Sequence, residues 1–212
     1  MIKIGRLENI QHRSGEAVKN IVDDEVHIAR LVEENERLEK ALLEMRSRVV
    51  ELEQLADTDT LTPLPNRRAF MRRLEAVVQY AARHSTPAAI LYIDLDGLKR
   101  INDDFGHHAG DAVLLHLARL LTENLRATDM VARIGGDEFG LILDHLDEDD
   151  AKAKAKALAD YVAEQRIKVG CTDILIRVTI GLAMVRVGES VASLIERADA
   201  AMYANRLHRS QI

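Results

Sequence analysis

The sequence has no tryptophan, only three prolines and a single cysteine, and aromatic residues make up 3% of its 212 positions. One thiol, Cys171, cannot close an internal disulfide, so no covalent staple constrains the chain, and such cysteine usage fits a reducing compartment. With so few rings, the core has to be assembled from Leu, Ile, Val and Ala. Basic residues are outnumbered 29 to 35. The resulting net charge of -6 argues against a general nucleic-acid binder, because a phosphate backbone demands a basic face. A nucleotide ligand is still compatible, since a divalent cation bridges carboxylates and phosphates. No apolar run is long enough to span a bilayer, and residues 1–15 mix charged and apolar positions without the apolar centre of a signal peptide. The expectation is a cytoplasmic protein with no membrane span. What the chain does contain is 47% hydrophobic and 30% charged residues, the balance of a globular protein.

Two regions of different periodicity follow one another. Residues 17–56 contain neither Pro nor Gly. Placing Ile21, Ile28, Asn35, Leu42 and Val49 at heptad position a puts Leu31, Leu38, Met45 and Leu52 at d, with Asp24 the one break. Ile and Val at a with Leu at d favour a parallel two-stranded coiled coil, and one Asn at a sets register and oligomer state at some cost in stability. The alternative is an amphipathic helix lying on its own domain. Residues 1–56 are therefore expected to form a dimerisation and signalling stalk, and residues 57–212 a second domain.

In that second region helical and strand patterns alternate. Helices are expected over 67–84, 111–125, 148–165 and 190–204, and strands over 88–94, 130–134 and 139–143. The β-branched stretch 174–185 should hold one or two more strands. The sum is an α+β domain with a mixed central sheet covered by helices.

Acidic residues gather where strands end. Asp94 and Asp96 close the strand Tyr92-Ile93-Asp94-Leu95-Asp96-Gly97, and Asp137 and Glu138 lie in the turn between two short strands. Alternation along a strand lets Asp94 and Asp96 share one side. The turn glycines, Gly135 and Gly136, are expected to supply the positive φ of a tight hairpin and to leave room for a ligand. If the strands are neighbours, the carboxylates converge and repel, and a hard divalent cation held jointly with phosphates relieves that repulsion. Lys99 lies close enough in sequence to hold a phosphate.

Gly135-Gly136-Asp137-Glu138-Phe139 resembles the GGDEF signature of the diguanylate cyclases. The resemblance extends from about Asp57 to the end. Asp59-Thr60-Leu61-Thr62 with Asn66-Arg67 is similar to the family's opening motif, although Pro63 stands where Gly is usual. The run Asp94 to Asp111 follows its substrate segment, with a nucleotidyl-cyclase or polymerase-palm-like fold implied. So do Val178 to Ala183 and Ala198 to Tyr203.

The resemblance implies an enzyme condensing two GTP into cyclic di-GMP, working as a dimer with Mg²⁺, or Mn²⁺ in its place. It implies Asp94, the Leu95 carbonyl and Asp137 as metal ligands and Glu138 as the group that activates the ribose 3′-hydroxyl. Asn102 and Asp111 would read guanine, Lys99, Arg206 and Arg209 would meet the phosphates, and Gly97 and Leu98 would also bind substrate. Arg126-Ala127-Thr128-Asp129 matches the family's inhibitory Arg-x-x-Asp motif, with Arg133 as a third member of a product site. One departure stands out: Asn205 occupies the position of the usual phosphate-binding Lys. The competing reading is a catalytically weak cyclic di-GMP receptor that signals through its stalk.

Overall fold

The computed structural model describes residues 30–49, 52, 57–169 and 172–209. The chain divides into two compact units, Met1–Leu55 and Ala56–Ile212. In the first, helix α1 covers residues 30–49. Its heptad positions Leu31, Leu38, Leu42, Met45 and Val49 are all about half exposed or more, as is Leu52. The Asn35 amide donates to Glu39 Oε1 one turn on, at 3.4 Å. Ile21, Asp24 and Ile28 lie outside the described residues.

The second unit runs α2 (Arg67–His84), β1 (Ala88–Leu95), α3 (Leu98–Phe105), α4 (His107–Glu123), β2 (Met130–Arg133), β3 (Glu138–Asp144), α5 (Glu148–Glu164), β4 (Arg166–Val169), β5 (Thr172–Leu175), β6 (Val178–Met184) and α6 (Val191–Arg209). Four strands form a sheet in the order β2-β3-β1-β6, and β4 and β5 form a separate hairpin. β1 and β3 each lead through helices to a strand on the far side of a neighbour, two interlocked split βαβ units in the ferredoxin-like manner. The α+β class and the helix-covered sheet agree with the expectation. The strand directions add to it: instead of a mixture, all three pairings in the sheet are antiparallel.

Local chemistry explains the element ends. Asn66 caps α2 by accepting from the N–H groups of Arg68 and Ala69, and Asp147 caps α5 with Glu148, Asp149 and Asp150 in its first turn. β1 is buried at every position, so it reads as a continuous apolar run instead of alternating. Its odd residues, from Ala89 to Leu95, join the larger core with residues of α4 and α5, while Ile90 and Tyr92 join Phe70, Leu74, Leu194 and Met202 from α2 and α6.

One row across the sheet sets how closely those helices approach. Gly140, Tyr92 and Gly181 stand opposite one another on β3, β1 and β6. The Phe70 ring fills the space above Gly140 and meets Tyr92 edge-on at 6.3 Å. A Cβ on Gly181 would lie 2.1 Å from the Ala198 carbonyl and 2.3 Å from Met202 N, so α6 rests its backbone on β6.

Two elements were not expected. α3 was missed, and α4 begins four residues earlier than expected because Gly106, at φ 84°, turns the chain sharply between them. β4 was missed as well, and the stretch 174–185 divides between the end of β5 and β6.

Gly181→Ala should destabilise the domain by about 1–3 kcal/mol through overpacking against the α6 backbone. Chemical denaturation monitored by circular dichroism measures it, and an unchanged midpoint would show that α6 can lift off.

Candidate active site

The site forms where β1 and β3 end side by side. Leu95 N–H donates to the Asp137 carbonyl at 3.0 Å, which makes 95 and 137 a hydrogen-bonded pair. The preceding pair, Asp94 opposite Glu138, is then of the non-hydrogen-bonded kind, in which side chains come closest. On the other flank Asp94 faces Thr179 of β6. Thr179 donates its hydroxyl to Asp96 Oδ1 at 2.8 Å, so Asp96 shares this face. Asp94 is only 5% exposed. Its Oδ2 is met by the guanidinium of Arg206, arriving from α6, and the same nitrogen lies 4.0 Å from Asp96 Oδ1.

The hairpin turn is closed by Ile134 and Gly135 N–H groups donating to the Glu138 carbonyl. Neither Gly135 nor Gly136 adopts positive φ, contrary to the expectation for this turn. The physical reason for glycine is space. A Cβ on Gly135 would lie 2.3 Å from Glu138 Oε2, whereas Gly136 faces open space. Gly135 lets the Glu138 carboxylate fold over the turn, and Gly136 keeps its approach clear.

Beyond Asp96, Gly97 at φ 80° precedes α3 with no side-chain cap, so no capping side chain takes the first-turn N–H groups at Leu98 and Lys99, the kind of groups that meet anions at helix starts. Asn102 Oδ1 is buried without a hydrogen-bond partner and would sit 2.0 Å from a Cβ on Gly110, next to Asp111. The α3–α4 corner thus packs Asn102 against Gly110, the residue before Asp111, and leaves an acceptor that suits a base edge.

The expected phosphate and product residues are placed differently from one another. Asn205 lies inside α6, and its amide donates to the Ile180 carbonyl of β6 at 2.8 Å. It also lines a cavity of about 480 Å³ with Lys152, Lys156 and Thr179. Arg209 ends α6, and its side chain lies outside the described residues. Arg126 is exposed, while Asp129 is nearly buried and accepts from the Arg126 backbone N–H at 3.1 Å. Arg133, the expected third member of the product site, donates from its guanidinium to the Gly136 carbonyl at 2.8 and 3.2 Å and to Asp59 Oδ1 at 3.0 Å.

That last contact shows a residue whose role the sequence reading missed. Asp59 accepts from the N–H groups of Leu61 and Thr62, from the Thr62 hydroxyl at 2.8 Å, and from Arg133. The Asp-x-x-Thr spacing is the signal for such a side-chain-closed turn. Burial pushes the Asp59 carboxyl up, but the Thr62 donors and Arg133 outweigh it and hold the pKa below the usual range. Arg133 N–H also donates to the Pro65 carbonyl at 2.9 Å. The loop before α2 is thereby fastened to the β2–β3 hairpin.

Hard carboxylate oxygens at one sheet end fit a Mg²⁺-type ion. Among the described residues no three carboxylates or imidazoles converge closely enough to hold a metal alone. Such a donor set suits a cation that binds through one or two carboxylates and completes its shell with substrate phosphates.

Comparison with known proteins shows the family. Residues 56–211 match the family described as diguanylate cyclase, GGDEF domain. The chain belongs to the GGDEF family. It is 41% identical over 154 residues to the bifunctional diguanylate cyclase/cyclic di-GMP phosphodiesterase MucR of Pseudomonas aeruginosa, covering 72% of this chain and 22% of MucR. It is 31% identical over 209 residues to diguanylate cyclase DgcP of the same organism, covering 98% of this chain and 31% of DgcP. The chain therefore spans a third or less of these curated relatives. Among solved structures, the coiled coil and GGDEF domain of DgcB from Caulobacter crescentus, in complex with c-di-GMP, superposes with a TM-score of 0.73. The identity is 30%, covering 85% of this chain and 94% of that one. Diguanylate cyclase SiaD of P. aeruginosa, in complex with its activator SiaC, gives 0.72 at 29% identity, covering 97% and 82%. Among the described residues no helix is long and apolar enough to cross a membrane.

A depressed carboxyl pKa contributes stability that is present above the unfolded-state value, near 3.9, and is lost as pH falls through the folded value. Asp59→Asn should therefore lower stability by about 1–3 kcal/mol at neutral pH. The gap to wild type should narrow as pH drops below about 4, as read by denaturant titrations across pH.

Proposed function

We propose that this chain is a diguanylate cyclase that joins two GTP into cyclic di-GMP and releases two pyrophosphates. The observation that carries the proposal is the register that sets Glu138 opposite the buried Asp94, beside a turn whose glycines keep its carboxylate free to approach a ligand. Asp94 and Asp137, with the Leu95 carbonyl, would hold Mg²⁺ or Mn²⁺. The ion supplies charge stabilisation at the phosphoryl oxygens. Asn102 and Asp111 orient guanine, and rejection of adenine follows because the Asp111 carboxylate would lose its N–H donors. The first-turn N–H groups of α3, with Lys99, Arg206 and Arg209, take the triphosphate.

Glu138 receives the proton of the 3′-hydroxyl as that oxygen attacks the α-phosphorus of the opposing GTP. The P–O bond to pyrophosphate breaks in the same displacement, and a second such transfer closes the ring. Each domain holds one GTP, so two domains must face each other. The exposed a and d positions of α1, with Asn35 fixing register, support a parallel homodimer that keeps them at high effective concentration. A GTP-consuming reaction and the single cysteine fit the cytoplasm. We further propose that cyclic di-GMP returns to Arg126 and Asp129 as an inhibitor, with the exposed guanidinium of Arg126 as the gripping group.

A second reading, a weakly active cyclic di-GMP receptor, is favoured by Asn205, whose uncharged amide is spent on Ile180.

Pure protein given Mg²⁺ and GTP should form cyclic di-GMP, detected by chromatography. Glu138→Gln should keep GTP binding while slowing turnover by about two orders of magnitude or more. Full activity in that variant would remove Glu138 from the mechanism, and no product from wild type would favour the receptor.

Progress curves of the wild type should bend as product accumulates, and Arg126→Ala should straighten them. Equal inhibition in the two would place the product site elsewhere.

A further inference from the structure

Among the acidic groups at the strand ends, Asp94 is the most deeply buried, 5% exposed on the central strand. The groups around it are Glu138 from β3, Thr179 from β6, Asp96 two residues on, and the guanidinium of Arg206 from α6. Of these, Arg206 alone is cationic, and it sits on Asp94 Oδ2 while its side chain is still 46% exposed. A guanidinium and a divalent ion compete for that oxygen, because their like charges repel at so short a range. The α6 backbone is pressed against β6 at Gly181, opposite Ala198 and Met202. Met202 lies one turn before Arg206, so the exchange falls to the Arg206 side chain and not to the helix.

We infer that Arg206 is a displaceable counter-ion of Asp94, and that through it cation binding and nucleotide binding at this site depend on each other. A metal arriving alone must dislodge a charge-assisted contact to a buried carboxylate. A nucleotide's phosphates offer the guanidinium a partner that suits its fork-like donors, and so release Asp94 to the metal. Linkage makes the effect reciprocal: whatever the nucleotide adds to metal affinity, the metal adds to nucleotide affinity. This inference rests on the reading of the site as one for GTP. A merely structural Arg206, neutralising Asp94 to keep the sheet end intact, predicts something different. Its removal would loosen the site and weaken every ligand.

The two cases separate by sign in the full-length chain. Mn²⁺ alone is titrated by electron paramagnetic resonance, and a non-hydrolysable GTP analogue by calorimetry, into wild type, Arg206→Gln and Arg206→Lys. Loss of one charge-assisted contact corresponds to about one decade or more in affinity. Arg206→Gln should bind Mn²⁺ about tenfold more tightly, because the competitor has gone, and the analogue about tenfold more weakly. Arg206→Lys, which keeps the charge but not the fork, should move both in the same directions by less. If either folded variant binds Mn²⁺ no better than wild type, or worse, the inference fails. Should Arg206→Gln not fold, judged by its circular dichroism and melting, Arg206→Lys alone decides. Formation of cyclic di-GMP by the wild type is scored separately. A protein that makes none but shows the opposite shifts keeps the coupling and loses the cyclase assignment.

Discussion

The antiparallel pairing of β1 with β3 is the constraint on which the rest of the molecule depends. Its register sets Asp94 against Glu138, and a slip of one residue would turn one of them to the opposite face. The same register builds both cores, because odd residues of β1 join α4 and α5 while Ile90 and Tyr92 join α2 and α6. Like charges opposite each other weaken a sheet locally. That cost is concentrated where the strands end, and the cation on Asp94 offsets it. Packing thus fixes where the charges stand, and charge determines what must bind there.

A second set of contacts fastens the hairpin to the chain that leads into the domain. Arg133 is held on both sides: its backbone pairs with Pro65, and its guanidinium bridges Asp59 and the Gly136 carbonyl. Asp57 adds ion pairs to Arg68 and Arg72 at the start of α2. The turn that carries Asp137 and Glu138 is therefore braced by a loop far away in sequence, Asp59 and Arg133 being 74 positions apart.

Much of this was legible because one residue type or one spacing sufficed. The α2 helix follows from its apolar stripe and Asn66 cap, and β1 from an unbroken apolar run bounded by Asp94. The facing of Asp94 and Glu138 was legible as acidic residues at the ends of two strands expected to be neighbours. What stayed hidden depends on tertiary contact. Gly106 reads equally as a loop or as a sharp corner between two helices, so α3 was not seen. Gly135 suggested a left-handed turn, but its reason is room for a side chain three residues later, which only the folded hairpin reveals. The bridge from Arg133 to Asp59 was not legible either, because the two residues are distant in the chain.

The contact between Asn205 and Ile180 has a meaning apart from the nucleotide. β6 is the last strand of the sheet, so one side of its backbone is an unfinished ladder that a strand from another molecule could extend. Along that margin Asn205 takes the Ile180 carbonyl and Arg197 takes the Met184 carbonyl, four residues away. Two side chains of α6 thus close off a templating surface that invites aggregation. Asn205 is thus part of what keeps the sheet from growing.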